Sequence, residues 1–154
     1  MKGLFYLTVL AGIGFAGPRL VGPSPAATTA AELSSITLLT LNQPPCVTLT
    51  PQSVLRAKVA YRLADGEQSA YGFAVSIKFQ STDPRRTFSN GREGIATVTQ
   101  RADTLTITYP MAALRQNAQL QRPVTCYFYL HRYTDAGRSL VIAKTPPITF
   151  QEYQ

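Results

Sequence analysis

Tryptophan is absent from this chain, histidine occurs once, cysteine and methionine twice each, and only eight side chains are acidic. Each scarcity removes a class of chemistry. The single His131 has no partner imidazole, and the acids are dispersed, so neither a metal site nor a cofactor is expected. In a Ser-His arrangement that residue would have to serve alone, so no catalytic group is assigned and His131 is expected at the surface. Asp65, Glu67 and Asp135 fall in turn segments, where acids bond the local backbone, and too few oxygens gather there for calcium. No phosphate loop is present. Apolar runs of the roughly 20 residues that a membrane helix needs are also missing.

What is present begins with an N-terminus resembling an export signal. Lys2 gives the positive end, Leu4 to Gly17 (LFYLTVLAGIGFAG) an apolar run of signal length, and small residues follow up to Ala31. Pro18, Pro23 and Pro25 stop a helix from growing to membrane-spanning length. Residues 1–30 are therefore expected to be a cleaved signal with a small-residue and proline segment, and 31–154 a single exported domain. No stable membrane span is expected after cleavage. Cys46 and Cys126, an even pair in an oxidising compartment, are candidates for one disulfide. The chain carries fifteen Lys and Arg against eight acids, but the Arg residues are scattered rather than clustered, which argues against nucleic-acid binding.

The domain alternates in steps of two. Ser34 to Leu41 reads as a first, edge-type strand ending at Pro44-Pro45. Leu55, Ala57, Val59, Tyr61 and Leu63 alternate with Arg56, Lys58, Ala60 and Arg62, which predicts a strand with one core face and one wet face. After Asp65-Gly66, Tyr71, Phe73, Val75, Ile77 and Phe79 point one way, and Gly72, Ala74, Ser76 and Lys78 the other, so a hairpin is expected here. Ser81 to Gly94 reads as a long polar connection with a short edge strand near Thr87-Phe88. Ile95 to Gln100 and Thr104 to Tyr109 are further strands. Met111 to Leu120 is too short for a freestanding helix and reads as a helical turn crossing between sheets. Val124 to Thr134 is the longest strand, turned by Asp135-Ala136-Gly137 into Leu140 to Ala143; Pro146-Pro147 breaks the ladder before Ile148 to Phe150.

Seven or eight strands without a crossover helix predict an all-β, antiparallel two-sheet sandwich, with a small closed barrel as the rival fold. In strand number, in the hairpin of strands two and three, in the helical turn before the penultimate strand and in the interrupted final hairpin, Ile36 to Phe150 resembles bacterial immunoglobulin-like and fibronectin type III-like domains. The resemblance is architectural, and it implies binding, adhesion or spacing without specifying a ligand.

Two surfaces are candidates for contact. If Val124, Cys126, Phe128 and Leu130 fill the core, Tyr127, Tyr129, His131 and Tyr133 form a row on the opposite face. Such rows stack on sugars or anchor protein contacts, and they also stabilise sheets by cross-strand pairing. Arg85, Arg86 and Arg92 gather in one loop and could receive an acidic partner. The expected function is noncatalytic binding of a protein or a glycan. The rivals are a structural subunit assembling through an edge strand, an unrecognised hydrolase that would need a pocket around His131, and a scaffold without a dedicated ligand.

Overall fold

Leu55, Ala57, Val59, Tyr61 and Leu63 are buried, while Arg56, Lys58 and Arg62 are exposed, as alternation demands of a strand with one wet face. The structure is a computed structural model and describes residues 32–45, 47–89, 93–114 and 117–153. Among the described residues there are eleven strands: β1 (Ser35–Leu41), β2 (Thr48–Leu49), β3 (Val54–Arg62), β4 (Phe73–Gln80), β5 (Thr87–Phe88), β6 (Ile95–Val98), β7 (Ala102–Pro110), β8 (Thr125–Tyr133), β9 (Ser139–Lys144), β10 (Ile148–Thr149) and β11 (Glu152–Tyr153). A 3₁₀ turn, Met111–Leu114, follows β7. The leader expected over residues 1–30 lies outside the described residues. No helix among the described residues is long and apolar enough to cross a membrane.

The chain folds as a sandwich of two antiparallel sheets, as the alternation predicts. β3 sits between β1 and β7 in the smaller sheet. In the larger sheet β4 and β8 pair at the centre; β9 and β10 share the free flank of β8, and β5 and β6 share that of β4. Seven rows thus carry the sandwich, and the strand count is higher because both flanks of the larger sheet are broken and because β2 and β11 pair separately.

Each break has a cause. Pro146 and Pro147 have no N–H to give the ladder, so pairing stops after Lys144 and resumes at Ile148. Thr145 bridges the gap: its N–H donates to the Phe128 carbonyl at 3.0 Å, and its Oγ1 accepts from the Phe128 N–H at 3.1 Å. On the other flank the chain returns at Gly94, whose carbonyl accepts from the Ile77 N–H at 2.9 Å. Gly94 has φ +68°, and a Cβ there would run into Ile77 Cγ2 and lie 2.8 Å from Tyr109 Cδ2. Both the backbone and the packing therefore exclude a side chain.

Three sequence expectations are corrected. The second and third expected strands, β3 and β4, do not form a hairpin: they belong to different sheets. Their connection is much longer than a tight two-residue turn, and it is tied to the end of the sandwich instead. The Leu63 N–H donates to the Arg101 carbonyl at 2.7 Å, the Arg101 guanidinium donates to the Ala64 carbonyl, Glu67 pairs with Arg132 at 2.9 Å, and the Ser69 hydroxyl donates to the Tyr133 carbonyl at 2.5 Å. Tyr71 is exposed rather than inward, because Gly72 at φ +84° turns the chain before β4 begins. His131, expected at the surface, is buried.

The core fills the space between the sheets. Leu55, Val59, Ile107 and Tyr109 face Val75, Ile77, Phe79, Phe128 and Leu130, and the rings of Phe79 and Tyr109 meet at 4.9 Å. Met111 and Leu114 of the 3₁₀ turn are buried in the same core, and the turn leads from β7 in one sheet toward β8 in the other, as expected. The parallel pair β2 and β11 has no counterpart in the sequence reading, since two-residue strands carry no periodicity. It ties the C-terminal residues beside the buried Leu49 and Phe150.

Candidate functional site

Strand β8 alternates as expected. Cys126, Phe128 and Leu130 are buried in the core, and Tyr127, Tyr129, His131 and Tyr133 take the outer face of the larger sheet. Tyr127 and Tyr129 stand with ring centroids 5.9 Å apart and planes tilted by 52°; Tyr129 and His131 repeat the same spacing and tilt. These are favoured tilted contacts, so the three rings form a continuous ladder along the strand. Tyr133 continues the row, half-buried, at the end where β9 begins.

Register decides the ladder's neighbours. β4 sets Ala74 opposite His131, Ser76 opposite Tyr129 and Lys78 opposite Tyr127. β9 sets Val141 beside His131 and Lys144 beside Tyr129, with a bulge between. Tyr129, Val141, Ile142, Ala143 and Lys144 line a groove of about 370 Å³ at that bulge. At its other end the ladder runs into the arginine turn: the Tyr127 hydroxyl donates to Gln80 Oε1 at 3.2 Å, and Gln80 Nε2 donates to the Arg86 carbonyl at 2.9 Å. The two candidate surfaces read separately from the sequence are thus joined through Gln80.

His131 is 7% exposed and held on both sides: Ser76 Oγ lies 2.7 Å from Nε2 and Ser139 Oγ 3.3 Å from Nδ1. Burial, and secondarily the charge of Lys78, push the imidazole pKa down to about 4. Ser76 is 2% exposed, and Nδ1 meets a hydroxyl rather than the carboxylate that would orient a catalytic imidazole. Chemically this is a neutral imidazole locked between hydroxyls. Burial also lowers the pKa of Lys78, whose Nζ donates to Ser89 Oγ at 2.8 Å.

Of the loop arginines, Arg86 is exposed and pairs with Asp83 at 3.3 Å, while Arg85 is exposed with its backbone N–H on Asp83 Oδ1 at 3.0 Å. Arg92 lies outside the described residues. Cys126 is a free, buried thiol whose pKa burial pushes up to about 12; its expected partner Cys46 lies outside the described residues. No group of three or more His, Cys, Asp or Glu able to hold a metal occurs among the described residues.

Sequence reasoning missed Gln80, Ser139, Val141 and Lys144 as parts of this face, along with the bond from Ser76 to His131. The alternation of β4 puts Ser76 and Lys78 on one side, but no local signal states which residue of β8 each one faces. Comparisons with protein-family models, with curated proteins and with solved structures find no match.

Proposed function

We propose that this chain is an exported, noncatalytic binding module of immunoglobulin-like or fibronectin type III-like arrangement, and that its ligand lies on the outer face of the larger sheet. The row order supports the architecture: β1, β3 and β7 face a sheet with β8 and β4 at its centre and broken rows on either side. The observation that carries the binding role is the ladder Tyr127, Tyr129 and His131, which joins an open groove at one end to an arginine turn at the other. The buried Ser76, and the Ser139 hydroxyl rather than a carboxylate beside His131 Nδ1, weigh against hydrolysis.

Screening the exported protein on a glycan array, with the Tyr127→Ser/Tyr129→Ser variant beside it, tests this reading. A ligand bound by the parent and lost in the variant supports it. Equal binding by both, with circular dichroism confirming that the variant folds, refutes it. Mass measurement of the exported protein tests the leader, with cleavage expected between Ala26 and Ala31.

A second reading draws on β1, which among the described residues pairs with β3 alone and exposes Leu39. Beside it Ile36, Leu38, Pro146, Pro147 and Ile148 line an apolar groove of about 410 Å³. Assembly through that edge makes the protein a structural subunit. Light scattering across a concentration series separates the two readings, since only the second requires oligomers.

A further inference from the structure

The six strands of the larger sheet carry Lys78, His131, Arg132 and Lys144 but not one Asp or Glu. Arg132 is committed to Glu67 at the end of the sandwich. Lys78 and Lys144 form no ion pair among the described residues, and both belong to the outer face beside the ladder. Beyond Gln80 the same strip meets Arg85 and Arg86, where Asp83 is engaged by the Arg85 N–H and the Arg86 guanidinium. The face therefore pairs aromatic rings with two lysines that form no ion pair among the described residues, and it has the exposed Arg85 and Arg86 at its rim.

We propose that this face takes an acidic polysaccharide whose charges are carboxylates, a polyuronate, lying along β8 from the Tyr129 groove to the Arg85 and Arg86 turn. This deepens the binding role proposed above and rests on it. The rings suit the apolar faces of sugars. The Tyr127 hydroxyl oxygen, whose proton is donated to Gln80, can accept from a sugar hydroxyl between the charges. Lys144 forms a wall of the groove whose other side is Tyr129, placing a cation beside a seated ring, and the guanidinium of Arg85 matches a carboxylate as a fork.

Charge density selects the class. Lys144 lies beside Tyr129 on β9 and Lys78 beside Tyr127 on β4, so their backbone positions are two residues apart along β8 and two strand spacings apart across it, about 12 Å in all. A nucleic-acid strand carries a phosphate about every 3.4 Å, a far denser row of charge. Heavily sulfated chains likewise need more cations than this strip provides. A polymer with its acidic groups spread one to a sugar fits better.

The test uses the purified full chain in titration calorimetry with four probes: polygalacturonate, neutral dextran, heparin and an oligothymidylate. Polygalacturonate is expected to bind, more tightly than heparin or the oligonucleotide, while dextran does not. Raising salt to about 0.5 M should weaken the binding, because exposed charges are screened. Lys78→Gln/Lys144→Gln/Arg85→Gln should lose about tenfold in affinity, the sum of three modest surface contacts. Should the half-buried Lys78 site compromise folding, the exposed pair Lys144→Gln/Arg85→Gln must show a loss in the same direction. Tighter binding of heparin or oligonucleotide, no binding of polygalacturonate, or an unchanged affinity in the charge variants overturns the polyuronate assignment. Binding of dextran that Tyr129→Ser abolishes overturns this assignment alone and leaves the binding role standing. If no ligand on the glycan array or among the four probes depends on Tyr129, both fail.

Discussion

Acidification to pH 5 should destabilise this protein through His131. The imidazole sits between Ser76 and Ser139, stacks against Tyr129 and lies near the ammonium group of Lys78, with pKa about 4 against an ordinary 6.5. Above pH 6.5 the group is neutral in both the folded and unfolded chain, and its contribution to stability is complete. As the pH falls below 6.5 the unfolded chain takes up a proton that the folded chain refuses, so stability drops until the folded imidazole also titrates near pH 4. One pH unit is worth about 1.4 kcal/mol, so the loss should reach about 2 kcal/mol at pH 5 and about 3 kcal/mol at pH 4. At pH 5 most carboxylates are still ionised, which isolates the effect.

Urea unfolding followed by circular dichroism at pH 7, 6 and 5 measures it. His131→Gln keeps side-chain hydrogen bonding but cannot titrate, and its stability should be nearly flat over that interval. The imidazole resonance can be followed by NMR without assignment, because the chain has one histidine. A titration midpoint near 6.5, or the same loss of stability in His131→Gln, would refute the claim that this side chain is desolvated.

Other positions test the packing. Gly94→Ala adds a Cβ against Ile77 and Tyr109 at a positive φ and should cost about 3 kcal/mol in urea unfolding. Gly66→Ala, with nothing within 4 Å and an ordinary φ, should stay within about 0.5 kcal/mol of the parent; equal effects at the two sites would rule out the steric account. Thr145→Val removes the acceptor for the Phe128 N–H and should lose about 1–3 kcal/mol, while Thr145→Ser recovers most of it. Cys126 should react with a disulfide reagent only when the protein unfolds, since the native thiol is buried and its pKa lies near 12; rapid labelling of the folded protein would contradict that placement.

Much of the sandwich is legible in the chain because burial and side-chain direction share one period. The run from Leu55 to Leu63 and the split of β8 into Cys126, Phe128 and Leu130 against Tyr127, Tyr129 and His131 both follow from that period. The proline pair after Thr145 announces the broken flank for a similarly local reason. Pairing partners are a different kind of information. Asp65-Gly66 carries turn chemistry, yet whether the strands on either side stay together depends on contacts with Arg101 and Arg132 far along the chain. His131 illustrates the same limit: its type and face can be read locally, but its burial comes from Ser76 and Ser139 on two other strands. The join between the ladder and the arginine turn rests on Gln80, a residue with no conspicuous signal of its own.

Because β3 crosses to the opposite sheet, the two central ladders unite segments distant in the chain, with Arg62 meeting Ala102 and Phe73 meeting Arg132. Neither ladder is nucleated by a nearby turn, so the chain must close wide loops before the greasy interior repays that loss of freedom. Such a topology places this domain among slow folders, in the millisecond-to-second range, and prolongs the interval in which unfinished strands are vulnerable to mispairing with other molecules.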